Sequence, residues 1–220
     1  MESINKISNI LFIGDSIDKL RSELPRASLN ENFEEEWIKQ SEKIIFFCKN
    51  KEIDDSTSIV QIVRYLRASF YWSKQDWSAY DREVIISLEE CPSAIFHILK
   101  AFYYIQPLTD IYLPFIDAVS LSKNPNLRNK ILLLKKAETA FKNAEVMLND
   151  KEDRVLRSTI AWLRAWMAYK LKNKDVAIKY SKEAWKLDGC NLGEGWTFWA
   201  QWVGKITNPL DGLEMLEGLK

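Results

Sequence analysis

The chain has 220 residues, of which 47% are hydrophobic and 28% charged, the balance of an ordinary globular protein. Its 31 basic and 31 acidic residues cancel, so no overall charge draws it to nucleic acid or to an anionic membrane. Seven glycines and six prolines are too few for a turn-rich β protein. The three cysteines, Cys48, Cys91 and Cys190, are far apart and odd in number, which predicts reduced thiols in a cytoplasmic protein.

The first thirty residues contain a short motif with two interpretations. The stretch from Ile10 to Ser16 resembles the first block of the SGNH hydrolases, whose serine after Gly-Asp is the nucleophile. That family needs a strand before the serine and a late histidine as base, but the single histidine here is His97, in mid-chain. The alternative is a short apolar helix, with Asp15 or Ser16 capping a second helix that ends near Pro25. The apolar core is too short for a signal peptide, and we expect none.

A better-defined helix is predicted after Asn30. Asn30 or Asn32 can cap it, and Glu34 to Glu36 supply the negative charge that a helix start favours. An apolar stripe follows, formed by Phe33, Trp37, Ile44 and Phe47. The glutamates are interpreted as a solvated helix start rather than as a metal site.

Residues 56–92 predict two antiparallel helices joined by a short turn. Asp55 or Ser56 can cap the first helix, whose apolar positions recur with helical spacing at Ile59, Ile62, Val63, Leu66 and Phe70. The polar stretch 73–76 indicates the turn. The second helix has its apolar residues at Trp77, Tyr80, Val84 and Leu88, and Pro92 closes the hairpin.

This hairpin resembles a tetratricopeptide repeat, a helix–turn–helix unit of 34 residues. The match consists of Val63, Leu66 and Phe70 in the first helix, Asp76-Trp77 at the start of the second, and Pro92 at the end. Arg67 and Tyr80 depart from the pattern, because the family has small residues there. The resemblance implies an all-α fold, an α-α superhelix built as a right-handed stack of antiparallel helical hairpins. It also implies a partner-binding groove along the first helices, carried here by Arg64, Ala68, Tyr71, Trp72, Leu99, Tyr103 and Gln106.

Further helical segments follow along the chain. We predict helices from Ser93 to Ile105, Asp110 to Leu121, Asn126 to Leu148, Glu152 to Leu171 and Val176 to Leu187, with a capping helix at 208–220. Ala137 and Ala144 fit the small positions of a tetratricopeptide second helix, and Ala177 and Ala184 repeat them forty residues later. The predicted organisation is therefore an N-terminal segment of short helices, 1–30, and a helical-repeat domain, 31–220, with central hairpins at 56–122 and long hairpins at 126–206.

The helix from Glu152 to Leu171 is apolar on two faces and should be covered on both, with Arg157, Arg164 and Lys170 left as a polar edge. Its rings Trp162, Trp166 and Tyr169 either fill the core or line an aromatic pocket for a small ligand. A group of lysines from Lys170 to Lys186 is interpreted as a solvated face, the alternative being a basic edge for an acidic peptide or RNA.

The function predicted from these patterns is a non-catalytic adaptor or scaffold that binds another protein or a peptide segment. No cofactor, metal, nucleic acid or membrane partner is expected, and the pattern does not fix the oligomeric state. Two alternatives remain: a small-molecule or peptide sensor that uses the tryptophan-rich C-terminal half, and a serine hydrolase acting through Ser16.

Overall fold

The structure is a computed structural model that describes residues 2–50, 56–108, 125–149, 153–171 and 173–189. Within these ranges every regular element is helical and no strand occurs, so the predicted all-α class is confirmed. The helices are α1 (Glu2–Leu29), α2 (Glu31–Asn50), α3 (Ser56–Ser73), α4 (Trp77–Glu90), α5 (Ala94–Ile105), α6 (Pro125–Met147), α7 (Arg154–Lys170) and α8 (Lys174–Leu187). None of the helices described is both long and apolar enough to cross a membrane.

Most helix ends lie where the local sequence predicts them. Asn30 separates α1 from α2, and its side chain accepts a hydrogen bond from the Asn32 backbone. Asp76 caps α4 by accepting the backbone N–H of Ala79 at 2.9 Å. Each of these short oxygen-bearing side chains satisfies a donor that the first helical turn leaves free. The predicted helix at 110–121 and the predicted capping helix at 208–220 lie outside the described residues.

The sequence predicts two short helices within the first thirty residues, and this prediction is wrong. A single helix, α1, runs from Glu2 to Leu29, straight through Gly14 to Ser16 and past Pro25. Its buried residues Ile13, Ile17 and Leu20 recur at intervals of four and three, so one continuous apolar stripe holds the helix in place. Pro25 has no backbone N–H, so the helix lacks one hydrogen bond in its last turns and still continues to Leu29.

Residues 1–96 form one compact unit. Within it α3 packs against α1, α2 and α4, and α1 packs against α2. Trp37 of α2 lies at the centre, 2% exposed, stacked on the Phe70 ring with the ring centroids 4.8 Å apart. Its indole nitrogen donates to the backbone oxygen of Leu20 in α1 at 2.8 Å. One tryptophan therefore ties three helices together.

Residues 97–220 form the second compact unit, in which α7 packs against α8 and α6. The two-faced burial predicted for α7 is confirmed, since Trp162 and Trp166 are fully buried on it, as are residues on its other face such as Ile160 and Leu163. The small residues Ala137, Ala144, Ala177 and Ala184 are also buried, on α6 and α8. The end of α8 is fixed by Gly189, whose φ of 78° suits the left-handed position after a helix. The two compact units divide after residue 96, and the predicted organisation into 1–30 and 31–220 stays a prediction.

Candidate functional site

The most unusual chemistry of the first unit is a buried group of charges between α3 and α4. The α3–α4 charge cluster consists of Arg64, Arg67 and Glu83, whose side chains are 10%, 10% and 4% exposed. Arg64 Nη1 donates to one carboxylate oxygen of Glu83 at 2.7 Å, and Arg67 Nε donates to the other at 2.9 Å. Both oxygens of the carboxylate are thus occupied by guanidinium groups, the strongest kind of protein hydrogen bond.

The cluster extends to α2 and to the end of α4. Arg67 Nη1 donates to Ser41 Oγ at 2.8 Å, while Arg64 Nη2 donates to Glu90 at 2.6 Å. Lys49 of α2 reaches the second oxygen of Glu90, also at 2.6 Å. Burial disfavours the charge on Arg64, but its bonds to Glu83 and Glu90 outweigh burial and raise its pKa. The arrangement therefore connects α2, α3 and α4 through hydrogen bonds between charged side chains.

The groove residues predicted on α3 are placed at different depths. Arg64, Ala68 and Trp72 are buried, and Trp72 packs its ring against Trp77 and Tyr80 of the hairpin. Tyr71 is half-buried, with the Arg67 guanidinium 5.9 Å from its ring centroid. Tyr71 is therefore the groove candidate of this unit that presents side-chain surface. That these residues form a partner-binding groove stays a prediction.

The groove residues predicted on α5 and just after it also differ in how deeply they are buried. Leu99 is fully buried, whereas Tyr103 and Gln106 are half-buried. Tyr103 lies beside Tyr104, with ring centroids 5.8 Å apart, and the Lys100 ammonium is 5.2 Å and 5.3 Å from the two rings. The ammonium of Lys136, on α6, lies 5.5 Å from the ring centroid of Tyr104. These four residues form what we call the Lys–Tyr surface, which the sequence did not indicate because Lys136 comes from a later helix.

The aromatic residues proposed as a pocket on α7 pack inside the second unit. Trp162 and Trp166 are fully buried, and Tyr169 is half-buried. The indole nitrogen of Trp162 donates to the Asp188 carboxylate at 3.0 Å. In this structure the two tryptophan rings act as core, and a ligand could reach them only after the helices separate. That they serve as an aromatic pocket stays a prediction.

Arg164 of α7, expected at a polar edge, is instead enclosed by three helices. Its side chain is 11% exposed and donates four hydrogen bonds, two to Glu138 and two to Glu145 of α6, at 2.6–3.1 Å. Its guanidinium also lies 5.7 Å from the rings of Phe141 and Tyr180. Burial opposes the charge, but the bonds to the two glutamates prevail and raise the pKa of Arg164. Like the arginines of the α3–α4 charge cluster, Arg164 is a largely buried cation that connects two helices through hydrogen bonds to glutamate.

The residues of the hydrolase alternative are not in the context that the motif requires. Gly14, Asp15 and Ser16 lie in the middle of α1, where the hydrolase family has a strand leading into the serine. His97 lies on α5, and burial lowers its pKa. Burial also raises the pKa values of the Cys48 and Cys91 thiols, which are free and buried. Across the part of the chain that the structure describes, no three His, Cys, Asp or Glu residues are grouped to hold a metal ion.

A small cleft of about 130 Å³ opens between α1 and α2. Its walls include Glu23, Phe33, Glu36 and the buried Trp37, and the guanidinium of Arg26 covers the Phe33 ring at 3.5 Å. An internal cation thus already occupies the aromatic face of this cleft.

Comparison with known protein families, with curated proteins and with solved structures found no match to this chain.

Proposed function

We propose that the protein is a non-catalytic adaptor or scaffold that binds a segment of another protein along the first helices of its hairpins. The supporting observation is the packing of α3, which contacts both helices of the preceding hairpin, α1 and α2, as well as its own partner α4. Stacked hairpins of this kind leave one set of helices along a continuous surface, and helical-repeat proteins use such surfaces for binding. Because a fold alone does not specify a function, the proposal depends on what these helices expose.

Tyr71 is the side chain on α3 best suited to contact a partner. Its ring is held on one side by an edge contact with Phe70, at 5.3 Å between centroids, and by the Arg67 guanidinium. Arg67 is itself fixed by Glu83, so this aromatic surface is rigid before any partner arrives. Tyrosine and arginine are enriched among the residues that contribute most to protein interfaces. A ring that is already held in place also loses little conformational entropy on binding.

Site-specific photo-crosslinking tests this proposal in the native host. A photoreactive phenylalanine analogue is placed at Tyr71 on α3 in one protein and at Ile85 on α4 in the control. Ile85 is 40% exposed and lies on the second helix of the same hairpin. We expect a discrete protein adduct from position 71 and none from position 85. Adducts of equal yield at both positions, or none at either, would contradict a groove on the first helices.

A further inference from the structure

We propose that the Lys–Tyr surface, formed by Lys100, Tyr103, Tyr104 and Lys136, binds an acidic peptide segment of a partner protein. This inference rests on the proposed adaptor function and names the chemistry of the segment bound. The Lys100 ammonium of α5 lies 5.2 Å and 5.3 Å from the ring centroids of Tyr103 and Tyr104, and the Lys136 ammonium of α6 lies 5.5 Å from that of Tyr104. Lys136 is exposed and the other three residues are half-buried, so all four present surface.

The charge of α6 favours an acidic occupant. It contains five basic residues and only two acidic ones, Glu138 and Glu145, and both of these are hydrogen-bonded to Arg164 of α7. Lys135, Lys136 and Lys142 of the same helix are exposed. The helix thus carries more positive than negative charge, and one of its exposed lysines, Lys136, lies beside the Tyr104 ring. A segment rich in Asp and Glu complements this surface.

The arrangement of the rings favours a peptide over single-stranded nucleic acid. Proteins that bind single strands present open aromatic faces on which bases stack. Here the lysine ammonium groups already lie over the tyrosine rings, and the rings meet each other at 61° rather than forming parallel platforms. Carboxylates can bind the ammonium groups without displacing them from the rings. The overall charge of the chain, zero, agrees with a local acidic partner rather than a polyanion.

Fluorescence anisotropy of the full chain tests the inference with a labelled peptide of alternating glutamate and alanine. Its glutamine–alanine analogue and an oligouridine of the same length serve as comparison probes. The test variant is Lys100→Gln with Lys136→Gln. The control is Lys43→Gln with Arg82→Gln, which removes the same charge from exposed positions on α2 and α4. The single variant Lys136→Gln, at an exposed residue, keeps the test valid if the double variant is destabilised.

We expect the glutamate peptide to bind the wild type and the control alike, and more weakly as salt rises. The test variant should bind roughly 2- to 30-fold more weakly, because each exposed ion pair contributes modestly and two are removed. An unchanged Kd in the test variant, equal binding of the glutamine peptide, or tighter binding of the oligouridine would each overturn the inference. If one of these results is obtained while a protein is still crosslinked at position 71, only the acidic chemistry of the bound segment is rejected. Absence of any crosslinked protein would reject the adaptor function itself.

Discussion

Replacing Glu83 by glutamine tests the structural role of the α3–α4 charge cluster. Glutamine has nearly the same shape but no charge, so Arg64 and Arg67, each 10% exposed, lose the carboxylate they share at 2.7 Å and 2.9 Å. Arg64 keeps Glu90, and Arg67 keeps the Ser41 hydroxyl, but neither contact is both charged and buried. Breaking a buried ion pair by removing one partner costs about 3–5 kcal/mol, a large part of a typical folding free energy of about 5–15 kcal/mol.

The measurement is urea unfolding followed by far-UV circular dichroism, with the slope compared to confirm that the same surface unfolds. Glu42→Gln is the matched control, because Glu42 is 61% exposed and 3.7 Å from Arg67. It should lose less than about 1 kcal/mol. A Glu83→Gln variant that loses no more free energy of unfolding than Glu42→Gln would refute the reasoning.

A triple variant separates unpaired charge from lost packing. Arg64→Met, Arg67→Met and Glu83→Leu together remove all three charges while keeping apolar volume in the cluster. Replacing a buried ion group as a whole is often neutral or stabilising, so this variant should unfold within about 2 kcal/mol of wild type. A triple variant less stable than Glu83→Gln would show that specific hydrogen bonds, and not uncompensated charge, account for the loss.

Three further predictions concern single positions, each measured by urea unfolding. Gly14→Ala should stabilise the chain by about 0.5–1 kcal/mol, because Gly14 lies within a helix with nothing within 4 Å of an added Cβ, and an unchanged or lower midpoint would contradict this. Trp162→Phe should cost at least about 1–3 kcal/mol, because the buried Asp188 loses its indole donor, whereas the half-buried Trp185→Phe should cost less. Burial lowers the pKa of His97 from 6.5, so the stability it contributes is complete above pH 6.5 and is lost as the pH falls through its folded-state pKa. His97→Gln should reduce the loss of stability between about pH 7 and about pH 5, and an unchanged pH dependence would contradict the assignment.

The local features of the fold were predictable because they depend on few neighbouring residues. Asp76 caps α4 and the chain leaves the helix before Pro92, as their chemistry requires. The error in the first thirty residues has a cooperative cause. Gly14 and Asp15 look like a break, but the apolar stripe of Ile13, Ile17 and Leu20 stabilises the helix by more than a glycine in its interior destabilises it.

The buried charges could not be predicted from the sequence, because their partners lie on other helices. Arg64 and Arg67 have the spacing of an exposed face, and only the packing of α4 brings Glu83 to them, 16–19 residues later in the chain. Arg67 did give one signal, since it stands where the tetratricopeptide pattern, which this hairpin resembles, has a small residue. A large charged side chain at such a position needs a buried partner, and Glu83 is that partner. Arg164 and Glu138 are related in the same way, 26 residues apart.

The most direct test of the adaptor proposal is affinity co-purification from the native host, with tagged wild type compared to Tyr71→Ala. The variant is first checked by circular dichroism and urea unfolding, so that a loss of binding is not a loss of fold. We predict a protein retained by the wild type in near-stoichiometric amount and depleted with the folded variant. Absence of such a protein with the wild type, or its equal recovery with both, would contradict binding through α3.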